Sequence, residues 1–175
     1  TQINASDTLS NGIEIFLEAL SVAPAVVDLG TVDPGSESSP QTLTISNDGN
    51  LDLEFVRWEF YNLASDPYFI PNSAIEAIPE NLGALAVGAN TNADIKLTVP
   101  AGTVAGTYKA NQFVFEDNDQ DGNSIGEPIG QFELRVTVPS VEKIRAATDS
   151  LFLGSFLAGE TTSSASVIVT NIGNV

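Results

Sequence analysis

Residues 26–51 read VVDLGTVDPGSESSPQTLTISNDGNL, and residues 151–175 read LFLGSFLAGETTSSASVIVTNIGNV. Laid over each other from residues 27 and 151, the two stretches stay in step without a gap. Leu29, Gly30, Gly35, Ser39, Asn47, Gly49 and Asn50 stand 124 residues before Leu153, Gly154, Gly159, Ser163, Asn171, Gly173 and Asn174. Most other positions exchange within a class, as Ile45 does for Val169. A gapless internal repeat punctuated by glycines is the mark of a modular chain. Each copy reads as a short apolar strand, a glycine-containing turn and an alternating strand. Asn-x-Gly-Asn after the second strand is itself a turn signal.

Working outward, the first copy continues as strands. Residues 51–60 place apolar side chains at 51, 53 and 55, then at 56, 58 and 60. The phase change at Phe55-Val56 predicts a β-bulge that moves Trp58 and Phe60 onto the face held by Leu53. Residues 62–85, with Pro67, Pro71 and Pro79, read as a long connection with one helical turn near 73–77. Ala93, Ile95, Leu97 and Val99 alternate with polar residues, a half-buried strand. A turn at 100–106 leads into a strand over 107–116, and Phe132, Leu134, Val136 and Val138 alternate in the last. About seven short strands between turn signals, with no long helical period, predict an immunoglobulin-like β-sandwich. Trp58 is the expected core aromatic; for Trp58 and Tyr61, core or rim packing is weighed against ligand stacking.

Residues 12–19 also read as a strand, placed before the first copy much as residues 130–138 precede the second. The expected layout is therefore an N-terminal strand segment over 1–23, a candidate donor strand; a sandwich over 24–140; and the first two strands of a second repeat over 148–175. Two strands bury too little apolar surface to stand alone in water. Leu151, Leu153, Phe156, Val167 and Val169 therefore need a cover.

Composition narrows the function. Of 175 residues, 23 are acidic and six basic, a formal charge of −17. Such a surface repels phosphate backbones and anionic membranes, so no nucleic-acid partner is expected. Cations, neutral glycans and other proteins are the expected partners. No apolar run approaches the roughly 20 residues of a membrane helix, so the chain is not expected to span a membrane. A chain opening at Thr1 without Met reads as a processed or excised segment. A removed export signal would account for it, and an extracellular, cell-surface location is expected. Asn4-Ala5-Ser6 is a glycosylation sequon.

Enzyme signatures are absent from the sequence. With no His and no Cys, Ser-His-Asp and Cys-His arrangements cannot form, nor can Cys/His zinc sites. No phosphate-cradling glycine loop follows a strand. One constellation carries chemistry: Glu116-Asp117-Asn118-Asp119-Gln120-Asp121-Gly122-Asn123. Asp117, Asp119 and Asp121 alternate ahead of a glycine, as hard oxygen ligands do at the start of a calcium loop. Asn123 offers a carbonyl and Glu127 a further carboxylate. Pro128 stands where an EF-hand needs its bidentate Glu, and the flanks are strands. The reading is a calcium-clamped hairpin, against a hydrated acidic loop that keeps a hairpin soluble. Calcium is the expected cofactor if the clamp is real, and calorimetry would then show a midpoint that rises with added calcium.

The pattern Leu29-Gly30, Pro34-Gly35 and Leu43-Thr44-Ile45-Ser46-Asn47-Asp48-Gly49-Asn50 resembles the hydin-like, major-sperm-protein-related immunoglobulin-like repeats of bacterial and archaeal surface proteins. Val99-Pro100-Ala101-Gly102-Thr103 with Gly106-Thr107-Tyr108 is similar to those modules too. The resemblance covers about residues 24–139 and restarts near 148. The Pro-Gly turn followed by a strand and Asn-x-Gly is also similar to TasA-like and camelysin-like matrix fibre subunits. The first resemblance implies a sandwich scaffold; the second implies fibres built by strand donation. The second copy departs from the pattern at Ala158, where the first has Pro34.

Three functions follow for comparison. The first is a non-catalytic structural subunit of an extracellular filament or S-layer type assembly, joined head to tail to copies of itself or neighbouring repeats by strand complementation. Removing residues 1–20 is then expected to abolish assembly. The second is a spacer module of a longer surface protein. The third is a glycan-binding adhesion module using Tyr61, Tyr68 and Phe69.

Overall fold

The structure, a computed structural model, describes residues 17–117, 128–148, 157–161 and 164–174. Its strands form a two-sheet sandwich of immunoglobulin type. The first sheet has the order β1-β3-β9-β7, from β1 (Leu20–Ala23), β3 (Gln41–Asn47), β9 (Asn90–Leu97) and β7 (Ile75–Ile78). The second has the order β2-β11-β10-β4-β8, from β2 (Val26–Thr31), β11 (Gly130–Val138), β10 (Gly106–Glu116), β4 (Leu53–Glu59) and β8 (Asn81–Leu85). The chain crosses between sheets at Pro24-Ala25. β1 lies antiparallel to β3, whereas β2 runs parallel to β11.

Alternation does what the sequence predicts. Leu43, Ile45, Ile95 and Leu97 of the first sheet and Val114, Leu134 and Val136 of the second are fully buried. Burying each such side chain contributes about 1.5–3 kcal/mol. The bulge is present too: pairing between β4 and β8 slips between Leu53 and Val56 and again before Arg57. Leu53, Val56 and Trp58 consequently share the buried face. Trp58 packs edge-on to Phe132, with centroids 6.1 Å apart, and its Nε1 donates to the Pro79 carbonyl at 3.2 Å. It is a core aromatic.

The connection over 62–85 is more structured than its composition suggests. It holds β5 (Leu63–Ser65), β6 (Tyr68–Ile70), a single 3-10 turn (Asn72–Ala74), and then β7 and β8. Strands of three to five residues are too short for alternation to register, and the three prolines break the pattern further. The helical turn is found, but Ile75 and Ala77 belong to a strand, where both are buried.

Asp28 on β2 ties the parallel pair together. Its carboxylate accepts the Gly30 N–H at 2.9 Å and the Arg135 Nε–H at 3.0 Å. The Gly30 bond, with Arg135 beside it, holds its pKa below the ordinary 3.8. A depressed carboxyl adds stability above its unfolded pKa and loses it as pH falls through the folded one. Asp28→Asn is therefore expected to lower the thermal midpoint slightly at neutral pH. The difference from the parent should vanish in strong acid, which scanning calorimetry at the two pH values checks.

The remaining strands are β12 (Ile144–Ala146) and β13 (Val169–Asn171), an antiparallel pair of their own. Residues 151–156, the expected first strand of the second copy, lie outside the described residues. Among the described residues, no helix is long and apolar enough to cross a membrane.

Candidate functional site

The most distinctive local geometry is a corner that occurs twice. In the first copy, residues 17–19 lie against the turn that ends β3. Leu17 N–H donates to Asn50 Oδ1 at 2.7 Å, and Asn50 N–H returns to the Leu17 carbonyl at 3.1 Å. Asp48 and Gly49 N–H groups both reach the Ala19 carbonyl, at 3.0 and 3.2 Å. Gly49 N–H also meets Asn47 Oδ1 at 3.0 Å. The approach is so close that a Cβ on Gly49 would collide with the Leu17 carbonyl.

Each of these contacts recurs 124 residues later, the interval from Leu17 to Val141. Val141 N–H donates to Asn174 Oδ1 at 2.6 Å, and Asn174 N–H to the Val141 carbonyl at 3.1 Å. Ile172 and Gly173 N–H groups reach the Lys143 carbonyl at 2.8 and 3.1 Å. Gly173 N–H meets Asn171 Oδ1 at 2.9 Å, and a Cβ on Gly173 would collide with the Val141 carbonyl. The strand pairing is copied as well. Leu20 faces Asn47 in β1–β3, and Ile144 faces Asn171 in β12–β13. The Gly35 turn returns at Gly159. Ser36 N–H bonds the Asp33 carbonyl at 3.0 Å and Glu160 N–H the Leu157 carbonyl at 3.1 Å, with glycine φ of 82° and 94°. Only glycine reaches such φ without strain, so Ala158 in place of Pro34 leaves the turn unchanged.

The copies differ in cover. Leu43 and Ile45 are 0% exposed, because β3 lies between β1 and β9 and faces β2. Their counterparts Val167 and Val169 are 41% and 60% exposed. The second corner is nevertheless seated. Ala105 N–H donates to the Asn174 carbonyl at 3.1 Å, and Asn174 Nδ2 donates to the carbonyls of Thr103 at 3.1 Å and Pro139 at 2.9 Å. Asn174 is buried in the process. The receiving turn is itself held: Thr103 Oγ1 donates to the Pro100 carbonyl at 2.7 Å, and buried Tyr108 donates its hydroxyl to the Val104 carbonyl at 2.8 Å. Burial, with Tyr68 nearby, pushes the Tyr108 pKa above its ordinary 10.0.

Of the acidic constellation, Asp117 is described and Asp119, Asp121, Asn123 and Glu127 lie outside the described residues. Asp117 is buried, with Oδ2 3.2 Å from Arg57 Nε, and its N–H donates to the Phe55 carbonyl at 2.9 Å. Among the described residues, no group of three or more carboxylates is placed to hold a metal ion. Of the expected glycan-stacking aromatics, Tyr61 packs edge-on to Phe113 at 5.5 Å and its hydroxyl donates to Glu59; Tyr61, Tyr68 and Phe69 are all exposed, the last two on β6. A groove lined by Trp58, Phe60, Ile75, Ile78 and Asn81 runs beside the free edge of β7.

The candidate donor segment is described from Leu17 onward. Leu17–Ala19 form the corner rather than a strand, and Leu20–Ala23 pair with β3 of their own sandwich. The corner escaped the sequence reading because Asn50 and Asn47 bond backbone N–H groups, which mark no partner in the sequence. Extending the overlay upstream would have found it. Glu18 and Ala23 match Glu142 and Ala147, and Leu17 and Leu20 exchange for Val141 and Ile144.

These features define a β-sandwich module followed by a strand pair that repeats the geometry of β1 and β3. No family model matches the sequence, and no curated protein does. Among solved structures, the chain is similar to the ASH/PapD-like domain 7 of human CEP192, at 14% identity and TM-score 0.49 over 79% of this chain and 97% of that one. It is similar to WR4, a C. elegans member of the MSP family, at 12% identity and TM-score 0.40 over 70% and 99%. The E. coli chaperone DraB gives 19% identity and TM-score 0.46 over 70% and 56%. The sandwich assignment stands on the strand order and core of this chain.

Proposed function

We propose that the chain is a non-catalytic structural module of an extracellular, cell-surface assembly, in which sandwiches repeat head to tail and complete one another's sheets. The observation that carries this reading is the duplicated corner. β12–β13 reproduces β1–β3 bond for bond, yet Val167 and Val169 are exposed where Leu43 and Ile45 are sealed. Beyond the residues of this chain, strands equivalent to β9 and β11 are what such a pair needs. They come from the same parent chain in a tandem spacer, or from another copy by strand complementation, where main-chain bonds satisfy the edge and alternate side chains fill the core.

Sedimentation velocity across a concentration series tests complementation in trans. The expected result is a ladder of linear oligomers that grows with concentration. Val169→Asp should suppress it while leaving the melt of the first sandwich intact, since Val169 is exposed there. A strictly monomeric chain at millimolar concentration would overturn complementation in trans and leave the tandem spacer. Calcium at the 117–127 loop is part of the same proposal: added calcium is expected to raise the calorimetric midpoint, and an unchanged midpoint would remove it.

A further inference from the structure

A single residue joins the repeated corner to the sandwich before it. Resting on the modular reading above, we propose that Asn174 sets the angle of a rigid joint between successive modules. It locks the β12–β13 segment to the end of the sandwich where β11 leaves and β10 enters.

The covalent link by itself leaves that angle free. β11 ends at Val138 and β12 starts at Ile144, and Ser140, Val141, Glu142 and Lys143 between them are exposed. Units joined by such a link move against each other unless an interface holds them. Asn174 supplies the hold. Its carbonyl accepts the Ala105 N–H at 3.1 Å, and its Nδ2 donates to the Thr103 carbonyl at 3.1 Å and the Pro139 carbonyl at 2.9 Å. Its Oδ1 and its backbone N–H tie it to Val141 of its own corner. Thr103 and Ala105 stand just before β10 and Pro139 just after β11, and Gly106 and Val138 face each other in register. The bonds therefore reach two separate segments at one end of the sandwich. A second attachment off the line of the chain removes the swivel that the link permits. Among the described residues, both hydrogen bonds between the β12–β13 segment and residues up to Val138 are those of Asn174.

The receiving side is fixed in its turn. Thr103 Oγ1 bonds the Pro100 carbonyl, and Tyr108, 1% exposed, bonds the Val104 carbonyl. Asn174 is itself 8% exposed, and a buried hydrogen bond is stronger than one in water. All of its bonds join uncharged groups. Salt screens charges, so the joint angle should hold across ionic strength even in a chain of formal charge −17. One fixed angle repeated at every junction makes an open row of constant twist.

Residual dipolar couplings in an uncharged alignment medium read the joint, at a concentration where sedimentation velocity finds monomer. Ala146→Cys and Val169→Cys, directly opposed in β12–β13, are joined by a disulfide so that the strand pair itself stays intact; the chain has no other cysteine. In this stapled chain the amide couplings of residues 143–147 and 168–174 are expected to fit the alignment tensor of the sandwich, at low and at high salt. Adding Asn174→Ala should destroy the common fit while the couplings and melt of the sandwich stay unchanged. Ala105→Pro, which removes the N–H on the receiving side and leaves the corner untouched, should do the same. Asn171→Ala, which loses only the bond to Gly173 within the corner, should keep the common fit. A common fit that survives Asn174→Ala, an angle that moves with salt, or a stapled chain with no common fit overturns the joint. The oligomer ladder separates the two readings. A ladder without a common fit removes only the joint; a common fit without a ladder upholds the joint and removes only complementation in trans.

Discussion

Ile45→Ala is expected to destabilise the chain by about 2–5 kcal/mol, the range for removing most of a buried aliphatic side chain. Ile45 is 0% exposed at the centre of the first sheet, so no neighbour is free to fill the void. Val169→Ala, the same position of the repeat, is expected to leave the midpoint of the isolated chain unchanged, because Val169 is 60% exposed. Denaturant titration of the two variants at low concentration checks both halves. Equal losses would mean that the second copy is already sealed within one chain. A Val169→Ala loss that appears only as concentration rises would locate the seal between chains.

Asn47→Ala carries the second large effect. Asn47 is 1% exposed; its Nδ2 donates to the carbonyls of Leu51 and Leu85, both at 2.9 Å, and its Oδ1 accepts the Gly49 N–H. Alanine takes a partner from two backbone carbonyls, each costing about 1–3 kcal/mol when left unpaired in the interior, while Gly49 N–H keeps the Ala19 carbonyl. Partial access of water at Leu51 tempers the sum, so a loss of about 3 kcal/mol is expected. A drop of roughly 10 °C in midpoint follows for a domain of this size. Asn171, its exposed counterpart, accepts the Gly173 N–H; Asn171→Ala should scarcely move the melt. Calorimetry of the pair reads the difference. A silent Asn47→Ala would show that the turn after β3 is held without its side chain.

These paired experiments rest on a feature the sequence displays openly. Glycines at 35 and 49 recur at 159 and 173, because a left-handed turn or a close carbonyl admits no other residue cheaply. The alternation of residues 93–99 and 132–138 likewise commits β9 and β11 to one buried face, and the phase slip at Phe55-Val56 betrays the bulge of β4. Strands of three to five residues such as β5 and β7 leave no such trace. Their pairing is decided by the sheets they join.

The sequence by itself determined the class of fold, the repeat and its interval, the core face of β4, β9 and β11, and the lack of His and Cys chemistry. These are properties of local period and residue type. The tertiary structure decided where β1 goes, that Leu17 and Val141 close equivalent corners, and that Asn174 clasps the 103–105 turn. On one side of each contact stand backbone carbonyls and N–H groups, which every residue carries alike, so the asparagines at 50 and 174 do not announce which segment they hold.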